Sequence, residues 1–163
     1  MLTLRRTSVI ASTLALLATL GGSGLAHDEV QVLPDAVAAT QANEAAFTEA
    51  FWAEDIDAVM ATFTDDVVFE DELFGDYLVG ADPVRGMYAA VFRITDPGTN
   101  EVIDQFISSD GARAVQILRW RGTSGSGQSF DIPTLALHEY RDGKISKEVM
   151  FYADRDAFAK LAE

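Results

Sequence analysis

Residues 53–71 read AEDIDAVMATFTDDVVFED, and this stretch decides the fold. Its first half predicts a short amphipathic helix over Asp55–Thr64, with the first aspartate as the N-cap. One face of that helix is apolar at helical spacing: Ile56, Val59, Met60 and Phe63. Its second half, Val67–Asp71, has the character of a strand, whose alternation places Phe69 and Asp71 on one face. The stretch therefore predicts a helix that leads into a strand ending on a carboxylate.

Further helices are predicted on both sides of this stretch. Pro34 precedes an alanine-rich segment, Asp35–Trp52, that is typical of a long helix. Asp82-Pro83 is typical of an N-cap followed by proline at the first helical position, and the third helix would run to about Arg93. Residues 73–80, between the first strand and this helix, are expected to form a loop.

The second half of the chain predicts a sheet. Four segments have strand character: Glu101–Ser109, Ala112–Thr123, Gln128–Tyr140 and Lys144–Tyr152. Glycine, serine and aspartate fill the connections between them, as in hairpin turns, and Pro133 indicates an edge strand or a bulge. A short helix over Asp154–Ala162 would end the chain. The order predicts an α+β fold, with three N-terminal helices packed on one face of a curved, mainly antiparallel sheet.

The first 26 residues predict a secretory signal peptide. They begin with a basic pair, Arg5-Arg6, continue with an apolar run, and end with small residues before an expected cleavage site after Ala26. Residues 27–34 would then form a flexible lead-in, and residues 35–163 a single domain. We expect a secreted or periplasmic protein that has no contact with the membrane after cleavage; an uncleaved anchor is the alternative.

The composition excludes several classes of partner and chemistry. The chain has 163 residues and a net charge of −14, and loss of the two leader arginines would make it more negative. Such an acidic surface repels nucleic acid and anionic lipid, so no nucleic-acid partner is expected. The chain has no cysteine, which excludes disulfides, a thiol nucleophile and a thiolate metal site. Neither a metal site nor an organic cofactor is expected.

The order of the elements and several short motifs resemble the NTF2-like superfamily. The motifs are the stretch from Asp55 to Asp71, Leu78-Val79-Gly80, Asp142-Gly143-Lys144-Ile145 and Phe151-Tyr152-Ala153-Asp154. Within the superfamily the chain is most similar to the SnoaL-like polyketide cyclase and ketosteroid isomerase branch. This resemblance covers nearly all of the chain after the leader and implies a conical cavity between helices and sheet. It specifies the fold better than the function, because the superfamily mixes enzymes and binding modules.

The resemblance places a catalytic carboxylate at Asp71, where ketosteroid isomerase keeps its general base. In that isomerase a tyrosine and a protonated aspartate stabilise the oxyanion. These two positions correspond to Phe47 and to Ala136 or a close neighbour, so both donors are missing. The catalytic aspartate on the last strand of SnoaL cyclases corresponds to Met150, and a histidine two residues earlier becomes Glu148. The resemblance therefore implies the scaffold and a base position, but neither mechanism in full.

Three residues are the candidate catalytic groups. Asp71 is the candidate general base if it faces an apolar pocket; the alternative is a carboxylate that caps a turn or faces water. Glu148 is the candidate partner acid; the alternative is a salt bridge to Arg119 or Arg121. His138 is a candidate proton shuttle or, alternatively, a rim residue. If Glu148 lies near Asp71, repulsion between like charges would hold a proton on one of them.

Six further residues are expected to line the pocket and bind the substrate. They are Phe47, Phe69, Gln116, Trp120, Met150 and Tyr152. Trp120 and Tyr152 could stack on a ligand, and aromatic packing is the alternative for each. Gln116 is a polar side chain in the inward phase of its strand.

These residues favour an exported enzyme that transfers protons on a small, largely apolar molecule. Isomerisation, cyclisation, dehydration and addition of water all fit this chemistry. The alternative is a non-catalytic module that sequesters an apolar ligand or pairs with another protein, and the missing oxyanion donors favour it. The sheet face opposite the helices would serve a homodimer.

Overall fold

The computed structural model describes residues 34–71, 75–96, 101–154 and 156. Two helices, two strands and a third helix come first along the chain, and four strands follow them. The helices are α1 (Pro34–Trp52), α2 (Ile56–Ala61) and α3 (Ala81–Phe92), and the strands are β1 (Phe63–Asp71), β2 (Asp76–Val79), β3 (Glu101–Ile107), β4 (Arg113–Thr123), β5 (Ser129–Arg141) and β6 (Lys144–Tyr152).

The strands of the described part form one sheet in the order β2-β1-β6-β5-β4-β3. The three predicted hairpins, β3–β4, β4–β5 and β5–β6, are antiparallel, and so is β1–β2. Only the pairing of β1 with β6 is parallel among these strands. The helices pack on one face of this curved sheet, and their apolar side chains form the main core with β1. The predicted α+β class is confirmed.

Residues 53–71 fold as a helix and a strand, but the boundary between them differs from the prediction. Asp55 caps α2 as predicted, because its Oδ1 accepts hydrogen bonds from two backbone N–H groups of the first turn. α2 ends at Ala61, and β1 begins earlier than predicted, at Phe63. Phe63 is buried and pairs with Ile145 of β6. This pairing draws it into the strand although its spacing continues the helical pattern.

Two predictions for the connection between β1 and α3 are wrong. Residues 76–79 form β2 instead of a loop, because their backbone pairs with residues 68–71 of β1. The N-cap of α3 is Gly80, at a φ of 92°, and Asp82-Pro83 already lies within the first turn. A positive φ is readily available to glycine, so the chain turns from β2 into the helix earlier than the proline signal indicates.

Pro133 lies in a central strand, so the predicted edge strand or bulge is wrong. The β4–β5 register is continuous through Pro133, and β5 has β6 on its other side. The ladder between β5 and β6 ends where Thr134 pairs with Tyr152. Pro133 lies just past that end, where its carbonyl accepts a hydrogen bond from Ala153 (3.0 Å). The N–H group that proline lacks would therefore not have been part of the hydrogen-bond ladder between β5 and β6.

The turn between β3 and β4 anchors α1 on the sheet. Thr40 Oγ1 donates a hydrogen bond to the carbonyl of Gly111 over 2.6 Å. Gly111 has a φ of +70°, and a Cβ atom at this position would lie 2.6 Å from the backbone of Ala36. Only glycine permits so close an approach in this conformation. The contact fixes α1 against the sheet and places Glu44, one turn further along the helix, among side chains of its inner face.

Some predictions fall on residues outside the described part. They are the signal peptide at residues 1–26, nearly all of the lead-in at 27–34 and almost all of the helix expected at 154–162. None of the helices in residues 34–96 is both long enough and apolar enough to cross a membrane.

Candidate functional site

A cavity of about 70 Å³ lies between the helices and the inner face of the sheet. α1 and α3 form one wall, and all strands except β2 contribute to the other. The six predicted substrate-binding residues line it: Phe47, Phe69, Gln116, Trp120, Met150 and Tyr152. Their convergence follows from the alternation of the strands, because each of the five strand residues stands in the inward phase.

Glu148 is the predicted catalytic residue that reaches the cavity wall. In β6 it pairs with His138 of β5 on one side and with Phe69 of β1 on the other. Glu148 is 2% exposed, and its Oε2 accepts a hydrogen bond of 2.6 Å from the hydroxyl of Tyr88, on α3. Burial, together with the charge of Glu148, raises the pKa of Tyr88 well above its ordinary value. Tyr88 therefore stays protonated and keeps the carboxylate in one orientation.

His138 lies behind Glu148, between two carboxylates. It is fully buried; its Nδ1 contacts Glu44 Oε1 at 2.6 Å, and its Nε2 lies 3.6 Å from Glu148 Oε1. Burial alone lowers the pKa of His138, but the hydrogen bond to Glu44 and the negative charges of Glu44 and Glu148 outweigh it and raise the pKa to about 10. His138 is therefore an imidazolium at neutral pH, and its Nδ1–H donates to Glu44.

Glu44 gathers four side chains from three strands, and each of them donates a hydrogen bond. His138 and the hydroxyl of Tyr140 (2.7 Å) share its Oε1. Gln116 (2.6 Å) and Gln105 (2.9 Å) share its Oε2. Burial acts to raise the pKa of Glu44, but these bonds and the positive charge of His138 lower it overall. A buried carboxylate with this many donors is stable as an anion.

Asp71 lies next to the cavity and not in its wall. It is 6% exposed, and its Oδ2 accepts a hydrogen bond of 3.0 Å from Tyr152, whose hydroxyl is at the wall. Burial and the negative charge of Asp71 raise the pKa of Tyr152 above its ordinary value. The carboxylate is thus connected to the cavity through a tyrosine that remains protonated.

Three alternatives raised by the sequence do not describe these residues: a water-facing Asp71, a rim position for His138, and a salt bridge from Glu148 to Arg119 or Arg121. Asp71 and His138 are buried, so neither faces water nor lies at an exposed rim. Glu148 contacts Tyr88 and His138, while both arginines considered as its partners, Arg119 and Arg121, pair with Asp131. The carboxylate of Glu148 therefore belongs to the interior network.

Four donors at the cavity wall are already engaged. Tyr88 donates to Glu148 and Tyr152 to Asp71, as above. Trp120 Nε1 donates to Thr95 Oγ1 (2.9 Å), and Gln116 donates to Glu44. The two positions at which the resemblance implies oxyanion donors, Phe47 and Ala136, line the cavity without a polar atom. These four donors are therefore not available to an oxyanion.

The sequence did not single out Glu44, Tyr88 or Tyr140, which complete the network. Glu44 stands on the same face of α1 as Phe47 and Phe51, at spacings of three and seven, and that position could have marked it. Tyr88 stands one turn after Val84, on the buried face of α3. Among the described residues, no group of three or more histidine, aspartate and glutamate side chains could hold a metal ion.

Sequence and fold both match known proteins. The family of SnoaL-like domains matches residues 45–148, and no curated protein matches significantly. The structure of Bal32a, from a soil-derived mobile gene cassette, is similar with a TM-score of 0.70 at 14% identity, covering 78% of this chain and 99% of that one. A putative polyketide cyclase from Xanthomonas campestris pv. campestris has a TM-score of 0.63 at 19% identity, covering 77% and 98%.

A third similar structure is a hypothetical protein with a ketosteroid isomerase-like fold from Catenulispora acidiphila, in complex with trimethylamine. Its TM-score is 0.62 at 16% identity, and the match covers 74% of this chain and 92% of that one. Identities this low establish a shared fold and leave activity open. The family match spans more than half of the chain, and the chain therefore belongs to the family of SnoaL-like domains, with an NTF2-like fold.

Proposed function

We propose that the protein is an exported isomerase or cyclase that moves a proton on a small, largely apolar molecule, with Glu148 as the general base. The observation that carries this proposal is the carboxylate of Glu148 in the wall of an otherwise largely apolar cavity. General bases must lie within hydrogen-bond reach of the proton they take, and Glu148 is the buried carboxylate with access to the cavity. The composition of residues 1–26 supports export to the periplasm or the medium.

The residues around Glu148 suit this role. Tyr88 orients the carboxylate from α3. His138 offsets the cost of burying its negative charge, and Glu44 in turn holds the imidazolium in place. Because His138 is held at a pKa of about 10 and does not line the cavity, it acts here as a fixed charge. This departs from the expected proton shuttle.

Proton transfer can be tested before the natural substrate is known. The mature protein is incubated in D₂O with a panel of small carbonyl, enol and epoxide compounds, and NMR measures deuterium at each carbon. A base that removes a proton from carbon introduces deuterium even where no net reaction follows. We expect at least one compound class to exchange faster than in buffer. Binding without exchange across the whole panel would contradict the enzymatic proposal.

Asp71 as the general base is the competing assignment, and two variants separate it from the proposal. If Asp71 acts by holding Tyr152, then Asp71→Asn and Tyr152→Phe should slow exchange by similar factors, about tenfold. If Asp71 itself removes the proton, Asp71→Asn should lower the rate by about 10²- to 10⁴-fold, far more than Tyr152→Phe. Exchange rates of the two variants, measured side by side, decide between these outcomes.

A binding module without catalysis is the second candidate. The observation that favours it is that the donors of Tyr88, Gln116, Trp120 and Tyr152 are engaged and the positions Phe47 and Ala136 supply none. Removing an oxyanion donor typically costs about 10²- to 10³-fold in rate, so an enolate would form slowly here. High affinity combined with no deuterium incorporation would identify this function.

We also propose that the outer sheet face forms a homodimer. Phe106 is 56% and Phe151 37% exposed on the face opposite the helices. Between them runs a row of half-exposed apolar residues, Val115, Ile117, Leu135 and Leu137. A contiguous apolar patch of this kind is typical of a protein interface.

The double variant Phe106→Glu/Phe151→Glu should convert a dimer to a monomer, because four charges would then face one another across the interface. Sedimentation velocity at low and high salt measures the change. Ala45→Glu, at an exposed position of α1 on the other side of the sheet, is the control and should leave the mass unchanged. A wild-type protein that is monomeric in both salts would contradict the proposal.

A further inference from the structure

The cavity combines an acidic wall with aromatic rings. Among its lining residues in the described part, the charged ones are both acidic, Glu148 and Glu101, and Glu101 pairs with Arg121 at 3.4 Å. Within the described ranges, no lysine, arginine or histidine lines it. Seven aromatic side chains from both walls line it as well: Phe47, Phe51, Trp52, Phe69, Tyr88, Trp120 and Tyr152.

The groups directly behind the wall add to its negative character. Glu44 and Asp71 are both buried beside it, and His138 lies between Glu44 and Glu148. Glu44 and Glu148 thus share one imidazolium. A bound anion would meet carboxylate oxygens, while the hydroxyls of Tyr88 and Tyr152 and the amide of Gln116 already bind those carboxylates.

We infer that the cavity binds a small organic cation, an amine or quaternary ammonium group on a short apolar body. Aromatic faces attract a cation through the negative charge of their π systems, and attraction is strongest where water is excluded. Glu148 supplies the counter-charge at the wall. The volume of about 70 Å³ has room for roughly five water-sized groups, which suits a trimethylammonium head. The inference concerns the same cavity as the proposed function, but it requires binding alone and no turnover.

Choline and 3,3-dimethylbutan-1-ol form a matched pair of probes. They have the same shape, and the positively charged nitrogen of the first is a neutral carbon in the second. Isothermal titration calorimetry on the mature protein at millimolar ligand, repeated at high salt, compares the two. We expect choline to bind about tenfold or more tightly than the alcohol at both salt concentrations, because the interaction is buried.

Two variants probe the two parts of the site. Glu148→Gln removes the counter-charge with little change in shape and should weaken choline about 10- to 100-fold, with little effect on the alcohol. Trp52→Leu, at a residue 43% exposed and so tolerant of change, removes one ring and should weaken choline roughly 2- to 30-fold. Glu49→Gln, on the exposed side of α1, removes the same charge away from the cavity and should change neither affinity.

The inference would be overturned if the alcohol bound as tightly as choline. It would also be overturned if the Glu148→Gln and Glu49→Gln proteins bound choline with equal affinity. Failure of choline to bind at all would overturn it too. None of these results bears on deuterium exchange, so proton transfer to Glu148 could still stand. Conversely, choline binding that depends on Glu148, in a protein that exchanges no proton, would support the cation site and remove the enzymatic proposal.

Discussion

Replacing Glu148 by glutamine is expected to lower the rate of deuterium exchange by about 10²- to 10⁴-fold, the usual contribution of a general base. Glutamine keeps the shape of the side chain and can still accept a hydrogen bond from Tyr88, but it cannot take up a proton. The exchange rate is measured by NMR on the compound that the wild-type protein exchanges fastest. The Glu49→Gln protein, which loses a carboxylate on the exposed face of α1, should exchange at the wild-type rate.

A structural effect of this variant has to be separated from a chemical one. The cost of the variant to stability should be modest, because the imidazolium of His138 keeps its 2.6 Å contact to Glu44. Far-UV and near-UV circular dichroism should therefore match the wild type. If the folded Glu148→Gln protein exchanges at the wild-type rate, Glu148 is not the base, and Asp71 becomes the candidate.

Replacing His138 by leucine is expected to destabilise the protein by about 3–5 kcal/mol. The side chain is fully buried, and its removal leaves Glu44 and Glu148 facing each other without a positive charge between them. Urea denaturation at pH 6.5 measures the loss. The neutral variant His138→Gln can still donate to Glu44, so the difference between the two variants separates the hydrogen bond from the charge. Equal stability of wild type and His138→Leu would contradict the charge-compensation role.

The role of His138 in charge compensation should also be measurable in the pH dependence of stability. The folded pKa of His138, about 10, lies above its ordinary value of 6.5. Its contribution is therefore complete below pH 6.5 and is lost as the pH rises towards 10, with a limiting slope of about 1.4 kcal/mol per pH unit. His138→Leu should remove this slope. Glu44, whose pKa is lowered from 4.5, contributes in the opposite sense, so stability should also fall on acidification below that value.

Much of the fold could be predicted because its signals are local. The N-cap at Asp55 depends on residues within one turn, and the hairpins of the second half depend on short glycine-containing turns. β2 could not be predicted, because a run of four residues between Gly75 and Gly80 is too short to distinguish from a loop until it pairs with β1. Phe63 joined β1 for a similar reason, through a partner on the last strand.

The site residues on the sheet could be predicted from the sequence, whereas those on the helices could not. Alternation along the strands fixed the inward phase of Glu148, Met150 and Tyr152, so the cavity residues on the sheet could be named from the sequence. The rotation of a helix against a sheet depends on tertiary packing, and the many alanines of α1 define its buried face poorly. In the sequence alone, Glu44 therefore resembles a solvent-exposed charge, and only the structure shows its four hydrogen-bond donors.

The parallel pairing of β1 with β6 is expected to form late in folding. These two strands come from opposite ends of the domain, and β1 has only the short β2 on its other side. Pairing across so long a loop is slow, and until it happens the N-terminal helices have no complete sheet to pack on. A nascent chain that ends before Lys144 lacks both the strand that joins the two halves and the residue that closes the cavity with a carboxylate. The same late event thus completes the hydrophobic core and assembles the site.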